Sequence, residues 1–163
     1  MSSTLVARAR QLSAWFHVLL CGLCLSPPWF ALAIAMGVGD QRLWTVTLEA
    51  APYGLTAMAF AYLYGKKFGD WYLPVDGEKP TFEIVCASCV VSFLAAISTG
   101  ACIGLISSVW EGMDGLSVGL FAGLAGYLCA LPLILIMGGL GGLALTRRLN
   151  KLAADLNQAV KPA

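Results

Sequence analysis

Four long stretches of this chain, residues 12–38, 43–65, 82–110 and 116–145, are apolar almost throughout, and short polar segments separate them. A run of about 20 apolar residues crosses the ~30 Å hydrocarbon layer of a bilayer as a helix, because in lipid each backbone group must be bonded within its own segment. The pattern therefore predicts an all-α fold: an integral membrane bundle of four transmembrane helices, forming a single membrane domain over residues 1–163. Past residue 145 the pattern changes. Leu145, Leu149, Leu152, Leu156 and Val160 recur at helical spacing among the charged residues of LTRRLNKLAADLNQAV, so the fourth helix is expected to continue as a short extension with one apolar stripe. Such a stripe needs cover, from the membrane surface, from the 66–81 loop or from a partner protein.

The polar segments orient the bundle. Arg8 and Arg10 precede the first span, Lys66, Lys67 and Lys79 lie between the second and third, and Arg147, Arg148, Lys151 and Lys161 follow the fourth. The opposite side has Arg42 alone, in the turn GDQR, while the turn WEGMDG contributes Glu111 and Asp114. By the positive-inside rule this nine-to-one split puts both termini, the 66–81 loop and the 146–163 tail in the cytoplasm. Trp15, Trp44, Trp71, Tyr72 and Trp110 fall near the predicted span ends, where amphipathic rings favour the headgroup layer.

Composition agrees with lipid as the main solvent. The 163 residues are 59% hydrophobic and 12% charged, against about 25% charged in an ordinary soluble domain. A net charge of +1 with ten scattered Lys and Arg provides no clustered basic face for phosphates, so nucleic acid is not an expected partner. All six cysteines lie inside apolar runs, which gives no disulfide scaffold. The first 35 residues also combine basic residues, an apolar run and the small residues of FALAIA, as a cleavable signal does. The length of that run and Pro27-Pro28 within it favour a retained span.

Small residues name the faces expected to meet, since apolar contact alone gives lipid-embedded helices no drive to associate. Ala96, Gly100 and Gly104 in the third span, and Gly115, Gly119 and Gly123 in the fourth, each recur every four residues. In an antiparallel hairpin Gly104 lies level with Gly119 and Gly100 with Gly123, which makes the third and fourth helices the tightest pair. The other use of such glycines is to line a pore or a lipid groove. Pro27-Pro28 is expected to kink or break the first helix, and Pro52 and Pro132 to bend the second and fourth.

Candidate chemistry is sparse. His17, Cys21 and Cys24 share one face of the first helix, and Cys86 and Cys89 one face of the third. If the faces met, four thiols and an imidazole would suit a soft metal such as Cu(I), Hg(II) or Zn(II), or the thiols would exchange disulfides. Glu49 is an intramembrane carboxylate near the non-cytoplasmic interface, a candidate proton or cation site unless it reaches water or pairs with Arg42. Glu83 and His17 lie at cytoplasmic span ends, where interfacial water is expected to solvate them. No nucleotide loop, HExxH, Gly-x-Ser-x-Gly or haem-ligating histidine pair is present, so neither catalysis nor a cofactor is expected.

The stretch CGLCLSPPWFALAIAMGVG resembles the first helix of the inner-membrane mercury-resistance transporters, which carry a cysteine pair followed by proline. The additional cysteines those proteins use outside that helix have no counterpart in the loops or tail here. The second span leading into YLYGKKFGDWYLPVDGEKPTF, and the fourth leading into LTRRLNKLAADLNQAV, are similar to a family of bacterial four-helix inner-membrane proteins of unassigned activity. That resemblance implies the four-helix fold and a location in a bacterial inner membrane, and the tight turn between the first two spans departs from the longer external segment common in that family. With packing devices abundant and chemistry scarce, the leading expectation is a non-catalytic accessory or regulatory subunit. Its partners would be the bilayer and another membrane protein, or a second copy of itself. The alternatives are a small carrier using Glu49 or the cysteine faces, and a membrane immunity or exclusion protein.

Overall fold

In the computed structural model, every element among the described residues is helical: α1 Ser3–Met36, α2 Gln41–Lys67, α3 Thr81–Glu111 and α4 Met113–Val160, with a 3-10 turn Gly69–Tyr72 between α2 and α3. Residues 3–37, 41–73, 80–111 and 113–160 are described, without the side chains of 28–30, 32, 33, 110, 111, 113 and 156–160. Lys79 and Lys161, and the side chains of Trp110, Glu111, Leu156 and Val160, thus lie outside the described residues. Successive helices are antiparallel, giving the bundle a terminal end, with the start of α1, the end of α4 and the 3-10 turn, and a hairpin end. Two of the helices, over Thr81–Val109 and Asp114–Asp155, are long and apolar enough to cross a membrane.

Local chemistry explains the helix ends and the prolines. α1 stops where Gly37 takes φ +86°, a left-handed conformation that glycine adopts without strain at a helix C-terminus. Pro27-Pro28 does not break α1, which runs unbroken from Ser3 to Met36. Pro27 has no N–H to offer the carbonyl of Leu23 one turn back, and the Ser26 hydroxyl donates to that carbonyl instead, at 2.8 Å. A neighbouring hydroxyl thus satisfies the freed acceptor, and the helix continues. Pro52 and Pro132 also lie inside helices.

α3 and α4 share the most extensive interface in the molecule, and its middle is backbone against backbone. A Cβ on Gly119 would sit 2.5 Å from both the Gly100 carbonyl oxygen and the Gly104 Cα, and one on Gly123 would sit 2.7 Å from the Ala96 oxygen. Nearer the hairpin end, a Cβ on Gly115 would lie 2.7 Å from Ser108 N, and one on Gly104 2.9 Å from Leu116 Cα. The glycines are what permit this approach.

The terminal end is solid. Leu5 and Ala9 of α1, Leu73 after the turn, Ile84 of α3, and Leu145 and Leu149 of α4 are all buried in one cluster, with Leu152 packed against it. Burying each large aliphatic side chain contributes about 1.5–3 kcal/mol where water is the alternative. The apolar stripe of the α4 extension is therefore covered internally as far as Leu152, by α1 and the segment around Tyr72 and Leu73. Gly69 lets the 3-10 turn lie on α1, since a Cβ there would be 2.5 Å from Arg10 Cα. A bidentate ion pair fastens the turn, Arg10 Nε to Asp70 Oδ1 at 3.0 Å and Nη2 to Oδ2 at 2.7 Å. This pair lies at the surface, and the hydrogen bond to Asp70 followed by its charge pushes the Arg10 guanidinium above its ordinary value.

Candidate functional site

Two features distinguish the interior: a buried polar chain at the terminal end, and a chamber that begins beside it and extends toward the hairpin end. The chain starts on α1, where His17 Nδ1 lies 2.8 Å from the Ser13 carbonyl oxygen one turn back. A carbonyl only accepts, so Nδ1 carries the proton and Nε2 is the acceptor. Tyr72 Oη, 3.2 Å away, donates to Nε2 and accepts from Ser88 Oγ at 2.9 Å. Ser88 Oγ also lies 3.1 Å from the Ile84 carbonyl and 3.3 Å from that of Gly138, so its proton has further acceptors on both α3 and α4. Phe16 stands edge-on to both His17 and Tyr72. This arrangement ties α1, the 3-10 turn, α3 and α4 together, and each buried polar group in it has a partner.

Two sequence expectations are corrected here. His17 is 1% exposed and Tyr72 0%, so His17 is not solvated at an interface and Tyr72 is not a headgroup anchor. The cause is the 3-10 turn, which folds back over α1 and carries Tyr72 inward onto His17. Burial pushes the Tyr72 phenol up from its ordinary value of 10.0, while its hydrogen bond with Ser88 works in the opposite direction. Trp15, Trp44 and Trp71 are exposed, as is Glu83.

Toward the hairpin end the four helices part around a chamber of about 730 Å³. Its terminal-end wall is formed by His17, Leu20, Ala61, Val91 and Ile134, all buried. Its hairpin-end wall is made mainly of small residues, among them Ala31, Ala50, Ala122 and Gly126, and these are exposed. The chamber is therefore blind at the terminal end and open toward the other. Its polar groups are few and several are already engaged. Tyr127 Oη donates to the Cys89 carbonyl at 3.4 Å, and Thr99 Oγ1 to the Ala95 carbonyl at 2.7 Å.

The soft-metal set is not assembled. Among the described residues no three His, Cys, Asp or Glu side chains are placed to hold a metal ion. Cys21 and Cys24 line the chamber, whereas Cys86 lines a separate outer pocket of about 240 Å³ with Trp71, Phe82 and Glu83. Both His17 nitrogens face hydrogen-bond partners within the polar chain. The physical reason is the pairing of helices: α1 lies mainly against α2, and α3 mainly against α4, so the α1 and α3 cysteine faces do not converge. All six cysteines are free thiols.

Glu49 is exposed, does not line the chamber, and makes no hydrogen bond or ion pair, with Arg42 or any other residue, among the described residues. Ala96, Gly100, Gly104, Gly115, Gly119 and Gly123 lie in the α3–α4 seam, and Ala96, Gly100, Gly119 and Gly123 also border the chamber. Sequence reasoning missed the Tyr72–His17–Ser88 chain and the chamber. The only available signal for the first was a tyrosine beside the Gly69 turn, and for the second a surplus of alanines on α2 and α3 facing no large side chain.

In comparisons with family models, curated proteins and solved structures, nothing matches the chain.

Proposed function

We propose that this chain is a non-catalytic protein of a bacterial inner membrane that crosses the bilayer four times, with both termini cytoplasmic. It serves as an accessory or regulatory subunit by binding another membrane protein along the outer face of α2. Lipid as the solvent is supported by the apolar helices, which turn most of their surface outward: only 6% of the most apolar window of α4 is buried within the protein. The core helix of a water-soluble protein would bury most of that window. The resemblance to four-helix inner-membrane proteins and the nine-to-one split of basic residues support the number of spans and their direction.

The observation that carries partner binding is Glu49. It lies about 12 Å along α2 from Gln41 at the helical rise, among the exposed apolar side chains of Val46, Leu48 and Tyr53. A charge in the hydrocarbon layer costs about 3 kcal/mol at the centre on insertion scales, and such groups pair with others or mark function. Glu49 has no internal partner among the described residues, so a donor or cation on a neighbouring protein is the means of offsetting that cost. The α4 stripe, by contrast, is occupied within the molecule as far as Leu152, which moves the expected contact from the tail to α2.

A photoreactive amino acid at Leu48 in native membranes tests this. A cross-linked second protein is expected, retained in Glu49→Asp and lost in Glu49→Leu. Recovery of the chain alone and monomeric would sink the reading, and a cross-link only to itself would replace the accessory role with self-association.

A further inference from the structure

Beyond partner binding, and independent of it, we infer that the chamber is a binding site for the hydrocarbon chain of a single lipid, taken up from the hairpin-end leaflet. At about 730 Å³ the space falls within the roughly 300–1,000 Å³ of ordinary small-molecule sites. It is too large for the interior of a packed protein to leave empty, because its lining would forfeit dispersion contacts over its whole area. Water is a poor filler. An ordered water needs two to four polar partners; the hydroxyls of Thr99 and Tyr127 are already bound to backbone carbonyls, and those of Tyr53 on α2 and Ser92 on α3 stand in a lining otherwise made mostly of apolar side chains. The occupant is therefore apolar.

Shape narrows it further. From Val91 to Ile103 on α3 the lining extends about 18 Å along the bundle axis, and the space is closed where Leu20, Val91 and Ile134 are 3%, 0% and 3% exposed. A long, blind, apolar slot fits an extended or gently bent acyl or isoprenoid chain, inserted end first. The mouth is lined by Ala31, Ala50, Ala122 and Gly126, and a Cβ on Gly126 would meet nothing within 4 Å, so a headgroup can remain outside while its chain enters. At the blind end Tyr72 and Ser13 engage both nitrogens of His17, which leaves the Cys21 thiol and the Ser92 hydroxyl as the polar groups of an otherwise apolar lining. Recognition thus reads chain length and bulk, not headgroup chemistry.

The test uses the full-length protein in phosphatidylethanolamine–phosphatidylglycerol vesicles. One arm carries a phospholipid with a diazirine at its chain terminus, the other a free fatty acid with the same label. Adducts are expected on Leu20, Val91 and Ile134, which are sealed from bulk lipid, and the arm that produces them identifies the source of the chain. Gly126→Phe at the mouth and Ala57→Phe midway should each abolish those adducts and leave labelling of the outward Phe121 and Leu140 unchanged. Native mass spectrometry of the wild-type protein should separately retain one lipid mass per chain. Adducts confined to outward residues, blind-end adducts undiminished in both variants, or a wild-type mass without lipid would each overturn the proposal.

Discussion

At the terminal end Tyr72, Ile84 and Leu149 are wholly buried, and a 3-10 turn fills the space between α1, α3 and α4. Farther along, the same four helices surround about 730 Å³. Both regions are built from apolar helices, so hydrophobicity does not distinguish them. What differs is the filler. The terminal end receives an extra element and large side chains at its contacts, such as Phe16 against Gly141 and Leu20 against Gly138. In the hairpin half the close contact is the glycine seam, which draws α3 and α4 to each other, while the alanines facing α1 and α2 are too small to close what remains. Tight packing of one pair thus helps to create the hollow beside it.

The largest expected effect comes from one substitution made on each side of that divide. Gly119→Ala puts a methyl 2.5 Å from backbone atoms of Gly100 and Gly104, which cannot turn away as a side chain can. Overpacking of this kind costs about 3 kcal/mol, to be read as a lower unfolding midpoint in detergent. Next is Tyr72→Phe, which leaves His17 Nε2 without its donor and is expected to cost about 2 kcal/mol. In the opposite direction, Gly126→Ala adds a methyl to open space and should stabilise α4 by about 0.5–1 kcal/mol through helix propensity. If Gly119→Ala and Gly126→Ala behaved alike, the distinction between seam and chamber would fail.

The helices were legible in the sequence because apolar run length carries them, and the joins between α1 and α4 fall close to the GDQR turn, the loop from Lys66 and the WEGMDG turn that the polar segments suggested. Ala96, Gly100 and Gly104 read as one face because four-residue spacing is itself the helical repeat. In the structure that face lies against Gly115, Gly119 and Gly123. Tyr72 could not be read correctly. A tyrosine near a span end looks the same whether it points to headgroups or, through a turn held by Gly69 and Asp70, onto a histidine 55 residues earlier. The chamber was hidden for a related reason: Ala50, Ala57 and Ala95 are as suited to close packing as to lining a void, and only the third dimension separates the two uses.

Two smaller effects sharpen the comparison. The raised Tyr72 phenol means that the folded state holds its proton more tightly than the unfolded chain does. Its contribution to stability is therefore complete below about pH 10, its ordinary value, and is lost as pH climbs from there through the folded value. The unfolding midpoint of the wild type should fall in that alkaline window, and that of Tyr72→Phe should fall less. Asp70→Asn should have the least effect, because the Arg10–Asp70 pair has both side chains well exposed, at 47% and 39%, where water screens the attraction. A drop in midpoint as large as that of Tyr72→Phe would mean that the turn is held by its surface clasp and not by its buried tyrosine.

The most direct test of the whole account is which side of the membrane each end occupies. With the native cysteines replaced, single cysteines at Asp114, on the hairpin end, and at Lys66, on the terminal end, would be treated with a membrane-impermeant maleimide in intact spheroplasts. The account predicts labelling of Asp114→Cys at once and of Lys66→Cys only after lysis; the reverse order, or equal labelling of both before lysis, would contradict it.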